Sequence, residues 1–159
     1  MAAGQAAELY KDAQIHVIES KSVVTGYAAL SCLDITNKNV DDNIAAMNDA
    51  LARVTAGFVS PAIRDTQMNG VTVHVGDTIG IIGKEIVVSD KDRITATCAL
   101  ASAMLALPDK FMLTVFCGMD TEATEREALE TELRKQHPDA EIYLIDGGQE
   151  IFPYLLATE

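Results

Sequence analysis

Basic side chains are scarce in this sequence: 12 Lys and Arg stand against 24 Asp and Glu over 159 residues, a formal charge of -12. Such a field repels a phosphate backbone instead of releasing counterions from it, which argues against nucleic acid as a partner and against an anionic membrane surface. Long apolar runs are missing too. The runs present, such as residues 79–82 and 111–117, fall far short of the roughly 20 that a spanning helix needs. The opening MAAGQAAELYKDAQ has neither the basic start nor the apolar stretch of a signal peptide. Cysteine is sparse: Cys32, Cys98 and Cys117 are odd in number, far apart and each inside an apolar segment. That pattern argues against a secreted disulfide framework and fits a reducing cytoplasm, with each thiol a small buried hydrophobe. There is no internal repeat, low-complexity tract or Pro/Gly/Ser linker. Residues 1–13 are therefore expected to form a flexible leader, and residues 14–159 a single α/β domain.

What is present is an ordinary globular composition, 48% apolar and 23% charged, on a chain long enough to bury a core without a metal or disulfide staple. Residues 14–18 read as a first strand. A helix starts at Ser22 with Val23, Tyr27 and Leu30 at helical spacing, and a second, capped by Asp41 or Asp42, places Ile44, Met47, Leu51 and Val54 on one stripe. Residues 58–63 are predicted to be a strand entered through Gly57, with Pro61 marking an edge or a break in its ladder. Residues 69–88 read as a small β-meander projecting from the main layer, because Asn69-Gly70 favours a tight turn, Val71 and Val73 alternate with Thr72, and Gly83-Lys84 turns the chain again. A helix opened by Asp90 or Asp92 follows. The strand 111–116, the helix 121–136 and the strand 141–145 then form a βαβ crossover. The fold class is α/β: a layered mixed, partly parallel sheet flanked by helices.

Five ordered landmarks carry a family pattern: IHVIESKSVVTGYAALSCLD, DDNIAAMNDALARVTAGFVSPAIRDTQMNG, GDTIGIIGKEIVVSD, VFCGMDTEATEREALETEL and EIYLIDGGQEIFPYLLATE. From about Gln14 onward the chain resembles the C-terminal domain of the catalytic component of bacterial fatty acid kinase, of the dihydroxyacetone-kinase-related fusion proteins. It departs from that pattern at Glu19-Ser20, at Thr25 before Gly26, and at Glu150 after Gly147-Gly148-Gln149. The resemblance implies a partner-binding domain that docks a fatty-acid carrier protein, while a separate kinase domain holds ATP and magnesium. This chain itself shows no GxxxxGK[ST] and no cluster of aspartates beside a phosphate-binding loop. No cofactor is expected in it, and no turnover by it alone.

In open α/β sheets the loops at the carboxyl ends of the strands converge, so residues 20–26, 118–120 and 146–149 are candidates for one surface. Thr25, Gly26, Gly118, Asp120, Gly147, Gly148 and Gln149 are its candidate contacts. Glycines let backbone N–H groups approach a ligand oxygen; the structural alternative is that they serve tight turns and that Asp120 caps a helix. Arg64-Asp65-Thr66 is a second candidate, with the guanidinium as a planar fork for a carboxylate or phosphate. Its structural alternative has Asp65 capping the Asn69-Gly70 turn and Arg64 paired with an acid. His16, His74 and His137 lie in different elements without metal-ligand spacing. No GxSxG elbow is present, and Cys117 has no basic neighbour in sequence. Two other functions stay open: phosphoryl transfer with His16 as carrier, and homodimerisation.

Overall fold

A computed structural model describes residues 2–10 and 12–159; Met1 and Lys11, both in the expected leader, lie outside the described residues. The chain divides into two compact units, Met1–Arg53 and Val54–Glu159.

The first unit is helical: α1 (Ala2–Leu9), α2 (Val23–Ser31) and α3 (Val40–Arg53). The expected leader is thus a helix over most of its length, as its alanine-rich composition favours. The strand predicted at 14–18 does not form, and those residues belong to no regular element. Ile15 and Val17 alternate as a strand would, but both are exposed, and no described residue of this unit offers a strand to pair with. Ser22 caps α2: its Oγ accepts from Thr25 N–H at 3.1 Å, and Thr25 Oγ1 accepts from Ser22 N–H at 3.1 Å. The predicted stripe of α2 is reversed. Val24, Ala28 and Ala29 are buried, while Val23, Tyr27 and Leu30 are exposed. Both sets satisfy helical spacing, and nine residues without a charge present no polar side to orient the helix; the alanines let α2 come close to α3. On α3, Ile44, Met47 and Leu51 are half-buried beside buried Ala50, as predicted, and Val54 follows just beyond the helix. The cap is Asn39 rather than an aspartate: its Oδ1 accepts from Asp41 N–H at 3.1 Å, and Asp41 and Asp42 occupy the first turn.

The second unit is built on a six-stranded sheet. Its strands are β1 (Thr55–Pro61), β4 (Thr78–Ile82), β5 (Glu85–Asp90), β6 (Met112–Cys117), β7 (Glu141–Asp146) and β8 (Tyr154–Thr158), in the order β5-β4-β1-β8-β6-β7. A separate hairpin pairs β2 (Thr66–Met68) with β3 (Val71–Val73). Asn69 and Gly70 both take positive φ, 52° and 81°, so the two-residue turn forms as predicted. The predicted meander is smaller than expected, because β4 and β5 join the main sheet. Nor is β1 an edge strand: it lies between β4 and β8. Pro61 is tolerated because it pairs opposite Thr78 at the strand's end, while the β8 ladder stops at Val59 opposite Tyr154. Ala62 N–H donates to Asp77 O on the β4 side, so by alternation the missing N–H of Pro61 faces the other side, past the end of β8.

β6 and β7 are parallel and are joined by α5 (Ala123–Gln136), the predicted crossover. β8 has no counterpart among the predicted elements, yet it pairs antiparallel with both β1 and β6 and is buried throughout. The helix α4 (Arg93–Leu105) packs against β1, β4, β5, β6 and β8. Its Leu100, Ala101 and Met104 meet Val59, Leu113, Val115 and Leu156 in the core. Asp92 caps α4, with Oδ1 accepting from both the N–H and the hydroxyl of Thr95 at 2.8 Å. Those bonds hold the Asp92 carboxyl below its ordinary value. Asp92→Ala should lower stability by about 1 kcal/mol at pH 7. A depressed folded value contributes stability above the unfolded carboxylate range and loses it as pH falls through the folded value. The gap between wild type and variant, read by urea denaturation, should therefore shrink below about pH 4.

Candidate functional site

Because β6 and β7 are parallel, the turns after them leave the sheet on the same edge. Both return to Cys117: its carbonyl accepts from Gly147 N–H at 3.0 Å and from Gly148 N–H at 3.1 Å. Gly118 N–H donates to Pro153 O at 2.8 Å, Met119 N–H to Gln149 O at 3.0 Å, and Gln149 Nε2 to Phe116 O at 2.8 Å. Gly118, Asp120, Gly147, Gly148 and Gln149 therefore come together as the sequence indicates. Their N–H groups are differently used, however. Those of Gly118, Gly147 and Gly148 are bonded within the loops, not held open as an anion cradle. Gly118 is required by close packing, since a Cβ there would lie 2.5 Å from Phe152 O; Gly148 takes φ +63°.

Two arginines that sequence reasoning passed over organise this edge. Arg93 donates to Asp120 Oδ2 at 2.8 Å and to Glu125 Oε2 at 2.6 Å, and the buried Tyr154 hydroxyl donates to Glu125 Oε1 at 2.7 Å. Arg126 donates to Thr121 Oγ1 at 2.7 Å, to Asp146 Oδ1 at 2.8 Å and to Gly118 O at 3.1 Å. Asp120 is thus an ion-pair partner and not a helix cap; Glu122 occupies the cap position of α5 without a side-chain bond. Burial, reinforced by the bond to Glu125, pushes the Tyr154 phenol far above its ordinary value. Burial works against the Arg93 charge, but Glu125 and Asp120 together hold it more firmly protonated than usual. A cavity of about 360 Å³ opens beside this network, with Arg93, Asp120, Thr78, Ile151, Pro153 and Pro61 on its walls.

No poised nucleophile stands here. Burial raises the Cys117 thiol above its ordinary value and pushes Cys98 up to about 11, the opposite of what a reactive thiolate needs. His16 is exposed and belongs to no strand. His137 closes α5 with Nε2 at 2.8 Å from Ser102 Oγ. Among the described residues no group of three or more His, Cys, Asp or Glu is arranged to hold a metal ion.

Arg64, Asp65 and Thr66 lie where the chain leaves β1 for the hairpin. Asp65 Oδ1 accepts from Val75 N–H at 2.7 Å, so it ties down the residues after β3 and not the Asn69-Gly70 turn. Thr66 pairs with Val73. Arg64 is exposed, and no hydrogen bond or ion pair among the described residues engages it, contrary to the structural alternative that paired it with an acid. It borders a second cavity of about 370 Å³, and Pro61 lines both. Thr25 and Gly26 belong to the first unit, where Thr25 completes the cap of α2 and Gly26 N–H donates to Ser22 O at 3.0 Å.

Among solved structures the fold is similar to a DegV family protein from Corynebacterium glutamicum, with TM-score 0.62 and 15% identity over 99% of this chain and 69% of the other. It is also similar to the Streptococcus pneumoniae fatty acid kinase B3 protein loaded with linoleic acid, with TM-score 0.51 and 11% identity over 76% of this chain and 50% of that one. In sequence, uncharacterized proteins of Staphylococcus aureus strains USA300 and NCTC 8325 are each 35% identical over 159 residues. Those alignments take in 100% of this chain and 28% of the relatives, so the chain spans little more than a quarter of their length. The family model of FakA-like C-terminal domains, from fatty acid kinase, matches residues 1–159. The chain belongs to that FakA-like C-terminal family.

Proposed function

We propose that this chain is the docking module of a fatty-acid-kinase system working in the cytoplasm. It receives a fatty-acid carrier protein, while a separate domain holding ATP and magnesium forms the acyl phosphate. The observation that carries this reading is Arg64, an exposed guanidinium without a partner among the described residues, on a chain of charge -12. Beside it, Ile63 is 88% exposed and Val75 63% exposed. A free fork-shaped cation flanked by exposed apolar side chains is the composition of a recognition hot spot, and an acidic surround confines attraction of a partner's carboxylates to that point. The internally bonded turns at Gly118 and Gly148 support the same reading, because they form a stiff surface with its backbone donors already used.

A titration of the whole chain with the carrier protein of such a kinase system tests it. Association at micromolar concentration is expected, weakened at least tenfold by Arg64→Glu, which reverses the charge at a cost of more than about 1.4 kcal/mol. Circular dichroism should show the variant folded. Absence of association at high micromolar concentration would remove the proposal.

A further inference from the structure

We infer that the cavity between the paired ends of β1 and β4 and the turn after β6 is a binding site for a small organic monocation that carries N–H donors, an alkylammonium, with Asp120 and Thr78 holding its head. The floor is the last rung shared by β1 and β4. Val59 and Gly80 face α4, where Gly80 lies against Leu100. By alternation Pro61 and Thr78, which pair with each other, fall on that same face, and both line the cavity. Arg93 at the start of α4 forms one wall and Asp120 a second. Ile151 and Pro153, on the segment that returns to β8, form the third.

The volume, about 360 Å³, lies near the lower end of the range of roughly 300–1,000 Å³ typical of small-ligand sites. Charge selects the head group. Arg93 is the lone cation on the walls among the described residues, and it already serves two carboxylates, Asp120 and Glu125. Tyr154, whose buried phenol stays protonated, adds no charge. One guanidinium against two carboxylates leaves the site net negative on a chain of charge -12, which repels an anion and draws a cation. Two acceptors remain for it. Asp120 is half-exposed; its Oδ2 takes the Arg93 bond, and nothing among the described residues donates to its Oδ1. Thr78 is only 9% exposed, yet its hydroxyl makes no hydrogen bond to a described residue. A buried hydroxyl left unpaired on a cavity wall calls for a partner, and it is an observation independent of the carboxylates. The stem of the ligand meets Pro61, Ile151 and Pro153, all aliphatic. No aromatic ring lines the cavity among the described residues, so a quaternary ammonium finds no ring face here, while a head that donates N–H bonds finds two oxygens.

This inference does not rest on the docking reading, which is carried by Arg64. n-Butylammonium chloride is titrated into the whole isotope-labelled chain at constant ionic strength, with no protein partner present. The backbone amide shifts of Thr78, Asp120 and Ile151 should saturate together with a Kd on the order of 1 mM, what five non-hydrogen atoms can supply. Methylammonium should bind at least about fivefold more weakly for want of a stem. Tetramethylammonium, which lacks N–H donors, and butan-1-ol, which lacks the charge, should each lose at least about tenfold. Asp120→Asn should cost about tenfold, and Thr78→Val, which keeps the shape of the side chain, about threefold; the amide spectra show whether each variant is folded. No saturation at tens of millimolar, equal binding of tetramethylammonium, or indifference to both substitutions in folded variants would overturn the inference. A free amine and the lysine of a bound protein present the same head, and the carrier separates these sources. Competition between carrier and n-butylammonium assigns the site to a lysine and independent binding to a free amine, and either result keeps the site. Absence of carrier association removes the docking reading and leaves the n-butylammonium result standing.

Discussion

Gly118→Ala is expected to destabilise the second unit by about 3 kcal/mol, at the upper end of what overpacking costs. The new methyl would meet Phe152 O at 2.5 Å, Gln149 O at 3.0 Å and Pro153 O at 3.1 Å, all backbone atoms. None of them swings aside as a side chain would. Pro153 O and Gln149 O also accept the N–H groups of Gly118 and Met119, so displacing the segment that carries them breaks the bonds that join the two turns. In a chain of this size the thermal midpoint should fall by roughly 6–12 °C. Gly148→Ala is the comparison: φ is +63° there but nothing lies within 4 Å of the added carbon, so only the left-handed backbone cost of about 1 kcal/mol applies. A smaller loss for Gly118 than for Gly148 would show that the 149–153 segment yields.

Leu156→Ala should be the more damaging change in the core, at about 3–4 kcal/mol. Leu156 is wholly buried in the middle of β8, opposite Gly57 on one side and Val115 on the other. Neighbours on both flanks are fixed by ladder hydrogen bonds, so the space left by the side chain cannot close readily. Urea denaturation of Leu156→Ala beside Leu107→Ala, where the side chain is partly in solvent, reads the difference. The second substitution should change stability by no more than about 0.5 kcal/mol.

Local chemistry makes some of this fold readable from residues alone. Asn69-Gly70 specifies its turn by itself, and the run 111–116, the helix with acids first and bases last, and the strand after His137-Pro138 together define a crossover. Tyr154–Thr158 escapes because every one of its five residues is buried. A strand covered on both faces has no polar alternation to mark it. The opposite error at 14–18 comes from alternation without a partner strand. On α2 the periodicity is right and the direction wrong, since a helix lacking charge carries no label for its wet side. The joining of the Gly118 and Gly148 turns is readable because parallel strands end on one edge. The fate of their N–H groups depends on the 149–153 return to an unrecognised strand. Arg93 and Arg126 meet Asp120 and Asp146 across 27 and 20 residues, separations over which no local pattern speaks. The value of Arg64 as a fork for anions follows from its side chain, while its standing without a partner among the described residues is a property of the folded surface.

The position of β8 has a kinetic consequence. β1 and β6 share no hydrogen bond with each other, so the strands 55–90 and the crossover unit 112–146 are two half-sheets whose ladders meet solely through this strand. Thr55 finds Thr158 across a loop closure of about a hundred residues, which makes that pairing entropically costly and slow relative to the hairpins that precede it. Insertion of β8 is therefore the step that turns two provisional fragments into one cooperative lattice, and its amides should exchange with deuterium only when that lattice opens as a whole.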